Sequence, residues 1–207
     1  MTRAVALGVL AAICSVLSIL PQAEARLPLL TPTAEGSWQV DSTHSMVVFR
    51  VRHGVGAFWG RFNDVQGTAT FDVTEAGQLQ DVSIDIQVPI KSVDSGNGDL
   101  DRHLRSPDFF NATEHPAMTF RSTSLVSASD SAYTLKGDLT LLGHVKPIEA
   151  RLKWLGQAAS KRGMKAGMEV EFTLKRSDFG MTYGVESGSL GDNVRLIVGL
   201  EFMSKSD

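Results

Sequence analysis

Residues 81–88 read Asp-Val-Ser-Ile-Asp-Ile-Gln-Val, a strict alternation of polar and apolar side chains. Successive side chains of a β-strand point to opposite faces, so Val82, Ile84, Ile86 and Val88 share one face. The alternation predicts a strand with one face in an apolar core and the other in water, which is typical of antiparallel sheets. This stretch therefore favours an antiparallel, all-β fold.

The same period of two recurs along most of the chain, and Gly-rich or Ser-rich turn signals separate the runs. We count about eight strands and one short helix near residues 98–106, with Asn97 as its N-cap and a second turn at 107–111. Many strands without long helices indicate a sandwich or a closed barrel. The further inward-facing sets are Ala69, Phe71, Val73; Tyr133, Leu135, Leu139, Leu141; Ile148, Ala150, Leu152, Trp154; Met168, Val170, Phe172, Leu174; and Val194, Leu196, Val198, Leu200, Phe202.

Composition excludes several classes of protein. The 207 residues carry a formal net charge of −3, which gives no basic footprint for nucleic acid. With 43% hydrophobic and 21% charged residues, the chain is too apolar to be disordered and long enough for one sizeable core. The single cysteine, Cys14, excludes an internal disulfide and a cysteine-based zinc cluster.

The N-terminal residues have the pattern of a secretory signal peptide. A positive Met1-Thr2-Arg3 precedes a run of apolar and small residues at 4–20, and Ala23-Glu24-Ala25 follows as an A-x-A cleavage signal. We expect residues 1–25 to be removed by cleavage after Ala25, with a membrane anchor as the alternative. Residues 26–36 contain two prolines and no periodic pattern, which predicts a flexible tether before a domain at 37–207.

Four groups of residues carry a resemblance to a known family. They are 38–49 (WQVDSTHSMVVF) with His53 and Gly60-Arg61-Phe62; 101–110 (DRHLRSPDFF) with 115–122 (HPAMTFRS); 137–147 (GDLTLLGHVKP); and 175–181 (KRSDFGM) with 192–196 (DNVRL). Their order and spacing resemble the YceI-like family of bacterial polyisoprenoid-binding proteins.

This resemblance implies a lipocalin-like antiparallel β-barrel with short helices near its mouth. It also implies that a long apolar molecule, such as a polyprenyl chain or a quinone tail, occupies the interior, and that the protein is periplasmic or secreted. One position departs from the family pattern, because Leu100 stands where an arginine is expected.

Inward-facing positions are the candidates for a ligand-binding interior, because barrels of about eight strands can hold one small ligand. The alternative is an ordinary core filled by the same side chains. The strand positions that we assign to the lining are Val47, Phe49, Val51, Phe71, Ile84, Ile86, Met118, Phe120, Leu139, Leu141, Phe172, Leu196 and Val198.

Aromatic residues in irregular or Gly-rich segments suggest a mouth, either as a lid over the ligand or as a plug that seals the barrel. These further ligand-binding candidates are Phe58, Trp59, Phe62, Phe109, Phe110 and Phe179.

Five cationic or titratable residues are candidates for contact with a ligand headgroup, since an arginine fork matches an anion well. The alternative is a network of ion pairs with Asp101, Asp108 and Asp178. The histidines have no spacing typical of a metal motif, so we predict no metal site. The headgroup candidates are His44, Arg102, His103, Arg105 and Arg176.

The sequence lacks the G-x-S-x-G, H-E-x-x-H and G-x-G-x-x-G motifs, so we predict no catalytic residues and no cofactor. The favoured interpretation is an exported protein that holds a polyisoprenoid or isoprenoid-quinone-like lipid for carriage, storage or sequestration. Contact with a membrane or membrane protein and a homodimer are compatible with it. The alternatives are a binder of other hydrophobic molecules, such as fatty-acid amides or antibiotics, and an enzyme that acts on such a lipid.

Overall fold

Eleven strands form a single antiparallel sheet in the computed structural model, which describes residues 37–129 and 131–204. The predicted signal peptide and tether lie outside the described residues. The strands are β1 Ser37–Val40, β2 Met46–His53, β3 Gly56–Phe62, β4 Gln66–Val73, β5 Leu79–Pro89, β6 Val93–Asp94, β7 Ala117–Ser129, β8 Ala132–Leu141, β9 His144–Ser160, β10 Gly163–Lys175 and β11 Leu190–Ser204. The helix α1 spans Gly98–Leu104, and short 3₁₀ helices span Ile90–Ser92 and Arg176–Phe179.

Eight of these strands close into a ring, in the order β1-β4-β5-β7-β8-β9-β10-β11 and back to β1. The predicted all-β barrel of about eight strands is therefore confirmed. In β5, the residue pattern places Ile84, Ile86 and Val88 in the core, as the alternation in 81–88 indicates. The remaining strands extend the wall, because β11 also pairs with β2, β2 with β3, and β3 with β6.

The strand β11 bonds to two different partners along one edge. Its first part pairs with β2 as far as Gly199, and its last part pairs with β1 from Phe202 to Ser204. Between β1 and β2 the chain turns at Asp41–Ser45, and Asp41 N donates to Glu201 O over 2.8 Å. The Ser45 hydroxyl is also bonded to the backbone of Glu201, so β11 fixes both sides of this corner.

One end of the barrel, which we call the packed end, is filled by aromatic side chains. Trp38 stacks on Phe71 with ring centroids 4.8 Å apart, and Phe71 meets the edges of Trp154 and Phe202 at 5.6 and 6.3 Å. Trp38 and Phe202 are almost completely buried. Offset and edge-to-face pairs of this kind stabilise a core beyond their buried area.

The opposite end, which we call the mouth end, carries α1 and the turn between β2 and β3. Asn97 caps α1 as predicted, because its Oδ1 accepts from the backbone N–H of Asp99 and Leu100 at 3.0 and 3.1 Å. The helix ends at Leu104, before the predicted Ser106, and residues 107–110 form the predicted second turn. Across the described ranges, no helix is both long and apolar enough to cross a bilayer.

The packing around Gly137 in β8 leaves no space for a side chain. A Cβ atom at this position would lie 2.4 Å from the Phe120 ring and from Arg121 O. We expect Gly137→Ala to displace the ring or the backbone and to lower the free energy of unfolding by about 1–3 kcal/mol in urea denaturation. Gly199→Ala in β11 is the matched control, since its Cβ would meet no heavy atom within 4 Å. An equal loss in both variants would contradict this explanation.

Candidate functional site

The mouth end encloses a cavity of about 580 Å³, which we call the main cavity. Its walls come from strands β2, β3, β7, β8, β10 and β11 and from α1, so distant parts of the chain meet there. This volume lies in the range of typical small-molecule sites, roughly 300–1,000 Å³. The lining residues are Phe49, Val51, His53, Gly56, Ala57, Phe58, Phe62, Leu100, His103, Leu104, Phe109, Phe110, Met118, Leu139, Leu141, Leu174, Arg176, Met181, Tyr183, Leu190, Val194 and Leu196.

A second cavity of about 60 Å³, which we call the inner cavity, follows toward the packed end and has wholly apolar walls. The inward-facing residues of β11 give the order of the two cavities and the packed end along the barrel. Leu196 borders both cavities, Val198 and Leu200 line the inner one, and Phe202 belongs to the packed end. Met118 and Leu139 likewise border both cavities. The interior is thus one apolar column that narrows stepwise from the mouth.

Most of the predicted lining residues surround this column. Those bordering the main cavity are Phe49, Val51, Phe58, Phe62, Phe109, Phe110, Met118, Leu139, Leu141 and Leu196. Those bordering the inner cavity are Val47, Ile84, Ile86, Phe120, Phe172 and Val198, together with the shared Met118, Leu139 and Leu196. Their placement follows from the period of two, since every second residue of a barrel strand faces inward.

Three predicted lining residues lie elsewhere. Trp59 is on the outer face of β3 because its neighbour Phe58 faces inward, and the Arg50 guanidinium lies 6.0 Å from its ring centroid. Phe71 faces inward but lies at the packed end, in contact with Trp38. Phe179 is buried in the core from the 3₁₀ helix Arg176–Phe179 and borders neither cavity.

An aromatic wall lines one side of the main cavity. Phe49 lies 6.2 Å from Phe58 and 5.7 Å from Phe62, and Phe110 meets Phe62 edge-to-face at 5.3 Å. Phe109 is buried and also lines the cavity. Phe109 and Phe110 therefore close one side of the main cavity without filling it.

The polar lining groups lie at the mouth. His103 Nε2 is 3.0 Å from Asp108 Oδ2, and its ring meets Phe109 and Tyr183 edge-to-face at 4.9 and 5.3 Å. His53 and Tyr183 are exposed to solvent and also line the cavity, so they mark its opening. We define His53, His103 and Tyr183 as the mouth cluster.

Sequence reasoning missed His53 and Tyr183 as lining residues. His53 lies two residues after Val51, so the strand period alone could have placed it on the inner face. Tyr183 lies in an irregular segment without periodicity, and no pattern in the sequence could have placed it beside His103. Leu100, at the position where an arginine is expected, also lines the main cavity.

Three predicted headgroup residues do not reach the cavity. His44 lies on the outer surface, where its Nδ1 is 2.9 Å from Asp41 Oδ2. Arg102 pairs with Asp99 on the exposed face of α1, and Arg105 is directed toward Lys91 O at 3.5 Å. The predicted ion-pair partners are only partly those observed, because His103 pairs with Asp108 while the Asp101 carboxylate accepts from Ser95 instead.

The residues Asp41, His44 and Glu201 are the one group among the described residues that could supply three ligand atoms to a metal ion, with these atoms within 4.8 Å of one another. Lys165 already pairs with Glu201. This group lies on the outer surface, and none of its members borders the main or the inner cavity.

Arg176 lines the cavity but its guanidinium is committed to the backbone. It is 3% exposed, and its Nε, Nη1 and Nη2 donate to Gly191 O, Met181 O and Tyr183 O at 2.8, 3.2 and 2.7 Å. Burial lowers the pKa of this guanidinium, while the nearby Asp192 opposes the shift. Arg176 therefore fixes the segment 181–191, including Tyr183, at the mouth.

Asp192 completes this polar support. Its carboxylate accepts from the Ser177 N–H at 3.0 Å and from the Ser177 hydroxyl at 2.8 Å. Partial burial would raise the pKa of this carboxyl, but the Ser177 bonds and the charge of Arg176 hold it below its ordinary value. The charge is thus retained at neutral pH, beside the buried guanidinium.

The role of Arg176 gives a second prediction. Arg176→Met leaves three backbone carbonyls without their donor, and each such buried group costs roughly 1–3 kcal/mol. We expect a loss of at least about 2 kcal/mol in the free energy of unfolding, measured by urea denaturation. Arg102→Met removes an exposed ion pair and should change stability by less than about 1 kcal/mol. Comparable stability of both variants would show that Arg176 has no structural role.

Comparison with known proteins identifies the family. A YceI-like domain model matches residues 38–202. A UPF0312 protein of Pectobacterium carotovorum is 35% identical over 170 residues, which cover 81% of this chain and 85% of the relative.

Solved structures share the fold. A YceI protein of Campylobacter jejuni has a TM-score of 0.66 and 27% identity, and covers 75% of this chain and 90% of its own. A polyisoprenoid binding domain from Saccharophagus degradans has a TM-score of 0.64 at 14% identity, covering 81% and 98%. The family model spans almost all of the described barrel, and with the identity to curated relatives it establishes that the chain belongs to the YceI-like family.

Proposed function

We propose that the protein binds one long amphiphilic lipid of the isoprenoid type and holds its tail in the main cavity. The observation that carries this proposal is a cavity of about 580 Å³ with a mainly apolar lining, with His53 and Tyr183 at its opening and the Arg176 guanidinium already bonded to backbone carbonyls. A ligand that fits this distribution has a long apolar part and one polar end. Carriage, storage or sequestration are the roles open to such a protein.

The apolar walls supply the binding energy. Each buried methylene contributes about 0.8 kcal/mol, so a few five-carbon units supply roughly 10 kcal/mol before the costs of association. The same walls have few hydrogen-bonding groups, so they distinguish ligands by volume and length rather than by the positions of polar atoms. Binding of other hydrophobic molecules, such as fatty-acid amides or antibiotics, is the second candidate for this reason.

The mouth favours an uncharged headgroup. Arg176 already satisfies three backbone carbonyls, and Leu100 presents an apolar side chain to the cavity. The groups left at the opening are the imidazoles of His53 and His103 and the phenol of Tyr183. These can exchange hydrogen bonds with a hydroxyl or a quinone carbonyl. A prenyl alcohol or a quinone therefore suits the mouth better than a prenyl phosphate.

The comparisons and the sequence support this assignment. The Saccharophagus domain that shares the fold is named as polyisoprenoid binding. The N-terminal pattern at 1–25 supports export to the periplasm or beyond. The interior is apolar away from the mouth, which favours binding over catalysis, because an enzyme would need a polar constellation beside the reacting atoms.

To take up such a lipid, the mouth end would have to contact a membrane. Val55, at the tip of the turn between β2 and β3, is fully exposed, and its neighbour His53 lies at the opening. An exposed apolar side chain beside a lipid-sized opening suits transient contact with a bilayer surface.

The test is organic extraction of the full chain, expressed for export and purified without detergent, followed by mass spectrometry of the extract. We expect a prenyl lipid or quinone in near-stoichiometric amount. Leu141→Trp adds bulk within the main cavity and should reduce the retained lipid at least about tenfold, because the tail loses its space. Leu155→Trp is the matched control on the exposed outer surface and should retain the lipid.

Two results would contradict the proposal. One is an empty extract from a folded protein that also takes up no added prenyl alcohol. The other is equal retention by the Leu141 and Leu155 variants, which would place the lipid outside the cavity.

A further inference from the structure

The hairpin formed by β2 and β3 differs in charge from the rest of the chain. Residues 50–61 read RVRHGVGAFWGR, with three arginines and no acidic residue, in a chain whose formal net charge is −3. The segment 90–116, which contains α1 and also borders the main cavity, has three lysines and arginines against five acidic residues. The cationic side of the mouth end is therefore the hairpin.

Two of the three hairpin arginines have no carboxylate partner. Arg61 pairs with Asp94, whereas Arg50 and Arg52 are exposed and form no ion pair within residues 37–129 and 131–204. Arg52 donates instead to backbone carbonyls, including Gly188 O at 2.8 Å, which joins the hairpin to the segment before β11. The positive charge of Arg50 and Arg52 thus remains available to an anionic surface.

Apolar side chains accompany these charges. Val55 is fully exposed at the tip, and the tip is fixed because Gly54 N donates to Ser189 O over 2.9 Å. Trp59 and Tyr183 are the two exposed aromatic residues of the described chain, at 49% and 48%. Tryptophan and tyrosine are enriched where a membrane meets water, since their rings are apolar and carry one polar group.

We infer that the β2–β3 hairpin docks the protein on bilayers that contain anionic phospholipids, with Val55 inserted among the headgroups and Arg50 and Arg52 near the phosphates. This inference rests on the proposed function and names the surface from which the lipid enters. Each arginine near such a surface adds attraction, and an exposed apolar side chain adds contact with the lipid. An acidic protein would match the charge alone, whereas a bilayer also supplies an apolar layer for Val55.

Docking by this hairpin brings the opening to the bilayer. The inner face of the hairpin carries Val51, His53 and Phe58, which line the main cavity, and Val55 lies next to this lining. Arg52 is three residues from Val55, or about 10 Å along the strand. This is close to the Debye length at physiological salt, so Arg52 still attracts the anionic surface while the tip is in contact with it.

The experiment measures flotation of the full, folded protein with vesicles that contain no prenyl lipid. Vesicles of phosphatidylcholine alone are compared with vesicles of equal parts phosphatidylcholine and phosphatidylglycerol. We expect at least about tenfold tighter binding to the anionic vesicles, and loss of this difference at about 1 M salt, where the Debye length is about 3 Å.

Tryptophan fluorescence gives a second measurement. Trp38 and Trp154 are buried, at 1% and 7% exposure, so Trp59 is the indole that solvent or lipid can reach. We expect its emission to shift to shorter wavelength with anionic vesicles and to be quenched by brominated acyl chains. A Trp59→Phe variant should lose both signals while it still floats with the vesicles.

Variants test the two components of the surface. Arg50→Gln should lower the partition coefficient about fivefold, the share of one cation, and Val55→Asp at least about tenfold. Arg121→Gln changes the net charge equally, and Val126→Asp alters an equally exposed valine. Both controls lie in β7, which bonds to β5 and β8 and not to the hairpin, and should bind within about twofold of the parent protein.

Three results would overturn the inference. They are equal binding to neutral and anionic vesicles, absence of the folded protein from both floated fractions at low salt, and equal losses in the hairpin variants and the β7 controls. A protein that retains a prenyl lipid on extraction but does not float would refute docking and leave the proposed function intact. A protein that floats as expected but yields an empty extract and takes up no prenyl alcohol would refute the proposed function and leave docking intact.

Discussion

The structure depends on how β11 closes the ring. This strand bonds to β10 along one edge and divides its other edge between β2 and β1, with the corner Asp41–Ser45 fixed to Glu201 at the division. Closure satisfies the backbone groups that an open sheet would expose. On its other side, β1 pairs with β4, whereas β2 pairs with β3. The two ends of the barrel therefore have different walls and enclose different side chains.

That asymmetry separates the packed aromatic core from the main cavity. The packed end buries large aromatic side chains in mutual contact, which compensates for the unfilled space nearer the mouth. An empty apolar cavity destabilises a fold because its lining atoms lack partners. A ligand that fills the cavity binds the folded state alone and stabilises it by mass action. Under the proposed function, lipid content and resistance to unfolding would therefore be linked in this molecule.

The mouth is held in place by polar side chains whose hydrogen bonds go to the surrounding chain. The Arg176 guanidinium bonds to three carbonyls of an irregular segment and so holds Tyr183 beside His103. Asn97 caps α1, and Asp101 fixes the preceding turn through Ser95. The Arg176 side chain, which sequence alone assigns to a headgroup, thus acts as scaffolding, and the opening itself carries the imidazoles of His53 and His103 and the phenol of Tyr183.

The sequence by itself determined the strands, the inward faces and the family, because a period of two is a local property that pleated backbone imposes on each strand. It correctly placed Ile86 and Leu196 toward the interior and Asn97 at the start of α1. The tertiary structure decided which inward residues border empty space and which are packed. Phe71 and Phe49 both occupy inward-facing positions of their strands. The pairing of β1 with β4 and β11 brings Trp38 onto Phe71, whereas Phe49 remains at the main cavity. Arg176 and Tyr183 meet through an irregular segment, so their relation depends on long-range hydrogen bonds that no local pattern encodes.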